Sequence, residues 1–170
     1  MDPYVFDTSA VLNFGQRGHL QTLLTRFGRI YQLLTTPDVV GELTDPHHKP
    51  FNDAFVPAHF TVQSPKTPPF DLETLTRLAV VFGPGEISVM ALARELQATA
   101  VLDERAARTE AVKLGLKITG TLGLLNDAAR RDWLTEEACL DKARLLQSKG
   151  FRIPIPVINQ TFAEYLTAIE

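Results

Sequence analysis

Hydrophobic and polar positions along this chain follow the pattern of a mixed α/β protein. Short apolar runs of strand length recur between stretches in which apolar residues repeat every three to four positions, as on one face of a helix. These runs predict strands at 4–7, 30–34, 60–63, 99–103 and 116–118. The longer stretches predict helices at 8–14 (one turn), 36–43, 71–80, 86–97, 104–114, from 119 to about 131, at 135–149 and from 159 onward.

Several residues mark where these elements start and stop. Thr36 with Pro37, Thr119 and Thr135 are typical helix starts, and Gly115 and Gly150 are typical helix ends. Six prolines between residues 44 and 69 exclude a single long element there, and only 60–63 in that segment predicts a strand. The stretch 86–97 is apolar nearly all round, so we expect that helix to be internal.

The order of the elements predicts the fold class. Strand, helix and strand follow one another between residues 99 and 118, and a βαβ unit of this kind implies parallel strands. The sequence shows no repeat, linker or change of composition that would separate a second domain. We therefore expect one α/β domain over residues 1–170, a length ordinary for a single domain.

Composition and charge reduce the number of function classes that fit this chain. The chain has 17 Lys plus Arg and 20 Asp plus Glu, a net charge of −3, which disfavours a protein that holds duplex DNA mainly by charge. A nuclease is compatible with this balance, because a metal ion can supply local positive charge. Cys139 is the single cysteine, so we expect it to be a buried structural thiol. The chain lacks an apolar run of about 20 residues and a signal-like start, which predicts a cytoplasmic protein.

Four acidic residues are candidates for chemistry. Asp7 and Asp103 end two predicted strands, and Glu42 and Glu86 lie near the predicted starts of helices. The carboxyl edge of a parallel sheet is where such folds bind ligands, and four carboxylates gathered there would repel one another unless a cation joined them. Mg²⁺ prefers such oxygen ligands, and it supports hydrolysis of phosphodiesters. The alternative is that these acids are solvated, or that Glu86 only interacts with a helix dipole.

The segments around these acids resemble the acidic motifs of PIN-domain nucleases. The matching segments are VFDTS at 5–9, VGEL at 40–43, GEISVMALA at 85–93 and VLDER at 101–105. The later segments LGLKITGTLGLL at 114–125 and GFRI at 150–153 resemble a bacterial, toxin-like PIN branch. The resemblance covers nearly the whole chain in order.

This resemblance implies a three-layer α/β/α fold around a central, mostly parallel sheet, and Mg²⁺- or Mn²⁺-dependent cleavage of single-stranded RNA. It makes Asp7, Glu42, Glu86 and Asp103 the catalytic and metal-binding quartet. Ser9 matches the hydroxyl that follows the first aspartate and orients that aspartate or a water. In many members of the wider family an aspartate stands at the position of Glu86.

Five further residues have two interpretations each. Glu104 is either a fifth ligand or an exposed acid in the first turn of a helix. Arg105 and Arg108, one turn apart beside Asp103, either hold substrate phosphate or are solvated. Thr119 and Thr121 open a helix at the end of a strand, where backbone N–H groups either bind phosphate or are merely capped.

Three functional hypotheses remain. The first is a ribonuclease, which the resemblance links to toxins that form homodimers and are held inactive by an antitoxin protein. The second is a non-catalytic PIN-like module that binds RNA or a protein. The third, a phosphatase or dehalogenase with an aspartate nucleophile, is disfavoured because Ser9 stands where such sites need a second acid. We expect dimer or antitoxin contact at a predicted apolar surface formed by Leu12, Leu20, Leu23 and Leu24.

Overall fold

The computed structural model describes residues 1–67 and 69–152. Within them the strands are β1 Asp2–Phe6, β2 Tyr31–Thr35, β3 Thr61–Val62, β4 Thr99–Val101 and β5 Lys117–Thr119. The helices are α1 Thr8–Leu12, α2 Gln21–Phe27, α3 Pro37–Glu42, α4 Lys49–His59, α5 Leu72–Val81, α6 Pro84–Leu96, α7 Arg105–Lys113, α8 Thr121–Arg130 and α9 Glu136–Ser148. A π-helical segment, Asn13–Arg17, continues α1 and contains a kink at Gly15, where the φ and ψ of −97° and −111° are not helical.

The five described strands form one parallel sheet in the order β3-β2-β1-β4-β5. Strand β1 lies in the middle, where Val5 is paired with Leu34 of β2 on one side and with Ala100 of β4 on the other. Helices connect the strands and cover the sheet, so the predicted three-layer α/β/α architecture is confirmed. The carboxyl ends of β1 and β4 are neighbours, and this places the residues that follow them side by side.

Side-chain caps explain where several helices begin. The Thr36 hydroxyl accepts a hydrogen bond from the Val39 N–H at 3.2 Å, and the Thr135 hydroxyl accepts one from the Ala138 N–H at 3.1 Å. Each bond satisfies an N–H group that has no partner within its helix. Both predicted helix starts are therefore confirmed.

The proline-rich segment contains a helix that the sequence analysis did not predict. Helix α4 has Pro50 in its first turn, where the missing N–H costs nothing, and Pro57 in its interior, where a backbone hydrogen bond is lost. Phe55 and Val56 are buried in the core, and their packing offsets that loss. Proline content excluded one long element between residues 44 and 69, but it did not exclude an 11-residue helix.

The start of α8 also differs from the prediction. Thr119 is the last residue of β5, and Gly120 is the residue that precedes the helix, so the prediction of Thr119 as the cap was wrong. The Leu102 N–H donates to the Thr119 carbonyl at 2.9 Å, which extends the pairing of β4 with β5 by one residue past the end of β4. Thr119 is held by this pairing, and it is therefore not free to adopt a cap position.

The core lies on both sides of the sheet and includes most of α6. Residues 88–93 of α6 are all buried, which confirms that this helix is internal. The predicted apolar surface for a partner is wrong, because Leu20, Leu23 and Leu24 are 2%, 5% and 1% exposed and pack into the core. Leu12 is partly buried. These leucines stabilise the fold and do not form an exposed apolar surface.

Cys139 is fully buried, and its thiol donates a hydrogen bond to the Leu125 carbonyl at 3.3 Å. Burial raises the pKa of this thiol to about 11, so the cysteine is inert and structural, as predicted. Within the described residues no helix is both long enough and apolar enough to cross a membrane. The helix predicted from residue 159 lies outside the described residues.

Candidate active site

Two aspartates lie at the carboxyl edge of the sheet, as their sequence positions predict. Asp7 directly follows β1, and Asp103 follows β4 by two residues. The backbone N–H of Asp7 donates to the Val101 carbonyl at 3.1 Å, which ties the ends of the two strands together. Adjacent parallel strands therefore deliver both carboxylates to one edge, where open α/β sheets bind ligands.

Asp7 is the most unusual acid of the site. Its side chain is buried, and its Oδ1 has no hydrogen-bond partner among the described residues, although buried polar atoms are nearly always paired. Burial raises the pKa of Asp7 to about 7, and repulsion from the carboxylates of Glu86, Glu42 and Asp103 adds to the rise. A hydrogen bond from the Thr8 N–H opposes it. No positively charged side chain pairs with this carboxylate in the part of the chain that the structure describes.

Glu42 reaches the site from the last residue of α3. Its Oε2 accepts a 2.5 Å hydrogen bond from the Thr8 hydroxyl, and its Oε1 accepts a 3.0 Å hydrogen bond from the Gly85 N–H. A Cβ atom at position 85 would lie 2.5 Å from each of these two carboxylate oxygens. Glycine is therefore required at position 85 for Glu42 to approach α6 this closely.

Glu86 and Glu104 extend the acidic cluster on its other side. Glu86 lies in the first turn of α6, and burial raises its pKa, opposed by a backbone hydrogen bond from Gly83. Repulsion from Glu104 and Glu42 raises the pKa further. Glu104 itself is exposed and precedes α7 without forming a side-chain cap. Its carboxylate is close enough to raise the pKa of Glu86 by charge repulsion.

The Asp103 carboxylate is held by three hydrogen bonds. Its Oδ1 accepts from the Thr121 N–H at 2.7 Å, and its Oδ2 accepts from the Thr121 hydroxyl at 2.6 Å and from Asn13 Nδ2 at 3.0 Å. Burial raises the pKa of Asp103, while these bonds and the Arg108 guanidinium lower it. The amide and hydroxyl of Thr121 are engaged with Asp103, so in this arrangement Thr121 orients a carboxylate and is not turned toward a substrate phosphate.

Asn13 is a site residue that the sequence analysis missed. It is fully buried at the start of the π-helical segment, and Arg17 Nη1 donates to its Oδ1 at 3.3 Å. The signal was present in the sequence, because an asparagine between Val11 and Phe14 interrupts an otherwise apolar stretch. A buried amide needs polar partners, and here Asp103 and Thr121 supply them.

The residues predicted to support the site make different contacts, and only some of them lie against it. Arg108 Nη1 donates to the Leu102 carbonyl at 2.8 Å and braces the segment before Asp103. Arg105 is exposed and has no ion pair within the described part of the chain. The hydroxyl that contacts a site acid is that of Thr8, whereas no hydrogen bond involves the Ser9 side chain among the described residues. The Thr119 side chain lies against Gly123.

The donor set fits a hard divalent cation, although the carboxylates do not form a closed cage. Among the described residues no group of three carboxylate, imidazole or thiol side chains has the arrangement of a metal site. The chain's own N–H and O–H donors hold Glu42 and Asp103, as described above, and Asp7 Oδ1 remains unpaired. Mg²⁺ often binds through one or two carboxylates and keeps several waters. Asp7 with one neighbouring acid meets that requirement.

Comparison with known proteins agrees with this geometry. The sequence profile described as the PIN domain matches residues 3–165. A comparison with curated proteins finds no significant match. PIN domains are in general nucleases that use divalent metal ions. The profile spans almost the whole sequence, and the three-layer α/β/α fold has a parallel sheet with acids at its carboxyl edge. The chain therefore belongs to the PIN-domain family.

Proposed function

We propose that this protein is an endoribonuclease that hydrolyses phosphodiester bonds of single-stranded RNA with Mg²⁺ or Mn²⁺. The observation that carries the proposal is the buried, unpaired Oδ1 of Asp7 among three further acids that raise its pKa. Such an arrangement is costly in an apo protein, and a bound cation removes the cost. Perturbed acids in a cluster of this kind are typical of functional sites.

Different residues would bind the cation and orient the carboxylates. Asp7 and one or more of Glu42, Glu86 and Asp103 would hold the cation. When bound, the ion lowers the pKa of a water and stabilises the charge on the scissile phosphate and the leaving oxygen. Asn13 and Thr121 fix the orientation of Asp103 within the protein. The Thr8 hydroxyl and the Gly85 N–H do the same for Glu42.

Incubation of the purified protein with end-labelled single-stranded RNA tests this proposal. Cleavage should occur with Mn²⁺ or Mg²⁺, stop when a chelator is added, and be lost by orders of magnitude in Asp7→Asn and in Asp103→Asn. A folded Asp7→Asn protein that cleaves RNA at the wild-type rate contradicts the assignment. RNA that is bound but never cleaved under any metal condition favours the alternative, a non-catalytic module that binds RNA.

The proposal includes a biological setting, which rests on the resemblance to toxin-like PIN domains. In that setting the protein is a cytoplasmic toxin, forms a homodimer and is held inactive by an antitoxin. An inhibitor that competes with a metal ion needs a cation of its own, so an arginine or lysine inserted among the four acids is the expected device. Light scattering tests the dimer, and growth of cells that express the protein alone tests toxicity.

A further inference from the structure

An open groove of about 500 Å³ lies between the end of α5 and the exposed side of α7. Its walls include Arg77, Val81, Phe82, Arg105, Glu110 and Lys113. Two chain segments lead from the groove to residues of the candidate active site. Phe82 leads directly into the turn that carries Glu86, and Arg105 follows Asp103 and Glu104.

The groove carries positive charge where the neighbouring site is strongly negative. Arg77 is paired with the nearly buried Glu110 at 2.6 Å. Arg105 and Lys113 are both exposed, and neither forms an ion pair within the described residues. They lie eight residues apart on α7, with Thr109 midway, so successive positions on this face are about 6 Å apart along the helix. Arg105 and Lys113 are therefore two cations without ion-pair partners among the described residues, on the helix that follows Asp103 and Glu104.

The wall opposite α7 has two apolar residues beyond Arg77. Val81 is 66% exposed, and Phe82, partly buried against the core, forms the corner next to the active-site turn. Exposed cations facing an aromatic wall are the combination that single-stranded nucleic acids use, because phosphates contact the cations and an unpaired base stacks on the ring. A paired duplex keeps its bases stacked inside and cannot use the aromatic wall in this way.

We propose that this groove binds the single-stranded RNA next to the scissile phosphate, with Arg105 and Lys113 on phosphates and Phe82 against a base. The proposal rests on the proposed function for the identity of the polymer. The chain has a net charge of −3 and an acidic cluster at the reacting centre, so a polyanion approaching that centre is repelled. Arg105 and Lys113 offset this repulsion on one side of the site, so the RNA strand should approach along the groove.

Binding measured without catalysis tests the groove. Fluorescence anisotropy with a labelled single-stranded RNA is recorded in chelator and in an Asp7→Asn background, so that no cleavage occurs. Arg105→Ala and Lys113→Ala should each weaken binding about tenfold and should each reduce the slope of log affinity against log salt by about 0.7. Phe82→Leu keeps the apolar volume but removes the ring face, and should weaken binding about tenfold with the salt slope unchanged.

Two matched controls lie outside the groove. Arg29 precedes β2 and Lys149 follows α9, and both are exposed. Arg29→Ala and Lys149→Ala change the net charge by the same amount, so they should leave affinity and salt slope near those of the parent protein. Equal losses in the groove variants and in these controls would overturn the proposal, as would tighter binding of duplex RNA than of single-stranded RNA.

The outcome is separable from that of the proposed function. Groove variants that bind like the controls, in a protein whose wild type cleaves RNA, reject the groove and leave the nuclease standing. Groove variants that lose binding, in a protein that never cleaves RNA, reject the nuclease and leave an RNA-binding groove. Single-stranded DNA of the same sequence is the comparison ligand, and stronger binding of DNA than of RNA overturns the choice of RNA as the polymer. Circular dichroism spectra of each variant establish that it is folded.

Discussion

The carboxylate of Glu42 accepts a hydrogen bond from the backbone N–H of Gly85 at 3.0 Å, although these residues are 43 positions apart in the chain. The bond joins the end of α3 to the first turn of α6, the turn that also carries Glu86. Two acids from separate helices are brought together in this way. The contact depends on the absence of a side chain at position 85, where a Cβ atom would lie 2.5 Å from both carboxylate oxygens.

Gly85→Ala should therefore displace Glu42 and impair the site without unfolding the protein. The atoms that the new Cβ would meet are the far end of the Glu42 side chain, which can move aside, so the melting temperature should stay near that of wild type. A displacement of about 1 Å at a reacting centre costs about a hundredfold in rate, and RNA cleavage should fall by that order. Gly41→Ala is the matched control, because a Cβ atom there meets nothing within 4 Å. Equal cleavage by the two alanine variants contradicts this account of Gly85.

The raised pKa of Asp7 makes the metal-free protein less stable as the pH rises. Between the ordinary value of 3.8 and about 7, the folded state holds a proton that the unfolded state has lost. The free energy of unfolding therefore falls across this interval, by on the order of 4 kcal/mol for this group alone. Asp7→Asn should remove that fall and should unfold at higher denaturant than wild type at pH 7.5.

Denaturant titrations in chelator at pH 5 and pH 7.5 measure this effect. Asp2→Asn is the control, because Asp2 is an exposed aspartate at the other end of β1. It should keep the pH dependence of the wild type. An Asp7→Asn protein with an unchanged pH dependence would show that Asp7 is not the group that titrates.

A divalent cation bound by the site acids should offset the loss of stability that Asp7 causes and so stabilise the folded protein. An ion that binds only the folded state contributes about 2.7 kcal/mol at a hundredfold excess over its dissociation constant. Mn²⁺ should raise the melting temperature of wild type, and should raise it less in Glu42→Gln and in Glu86→Gln. Glu137→Gln, which changes an exposed acid in the first turn of α9, should respond like wild type. Equal shifts in all four proteins would place the ion elsewhere.

The arrangement of the fold could be predicted because its determinants are local. Apolar runs, threonine caps and a βαβ unit fix the strands, the helix starts and the parallel direction of the sheet. The positions of Asp7 and Asp103 at one edge then follow from the sheet alone. The failure to predict α4 has a non-local cause. Helix α4 contains two prolines, and only the burial of residues such as Phe55 and Val56 makes the helix favourable.

The contacts that hold the acids could not be predicted, because they join residues far apart in sequence. Asn13 and Asp103 are 90 positions apart, and Thr8 and Glu42 are 34 apart. An amphipathic pattern also cannot tell a surface stripe from a core one. The pattern of the leucines around residue 20 is compatible with a partner surface, yet the chain itself covers them. Burial of this kind is a property of the whole fold.

The hydrogen bonds on Asp103 lead to the last prediction. The buried Thr121 hydroxyl donates to Asp103 Oδ2 at 2.6 Å, and valine has nearly the same shape without the donor. Thr121→Val should lower the free energy of unfolding by about 2 kcal/mol, because a carboxylate loses a hydrogen bond in a buried setting. It should also lower kcat by 10- to 100-fold, the usual effect of removing a group that orients a metal ligand. KM should change little, since Thr121 is fully buried and cannot touch the RNA. Thr121→Ser keeps the hydroxyl and should restore most of kcat. A serine variant as slow as the valine variant would mean that the threonine methyl, through packing, and not the hydroxyl, supports the site.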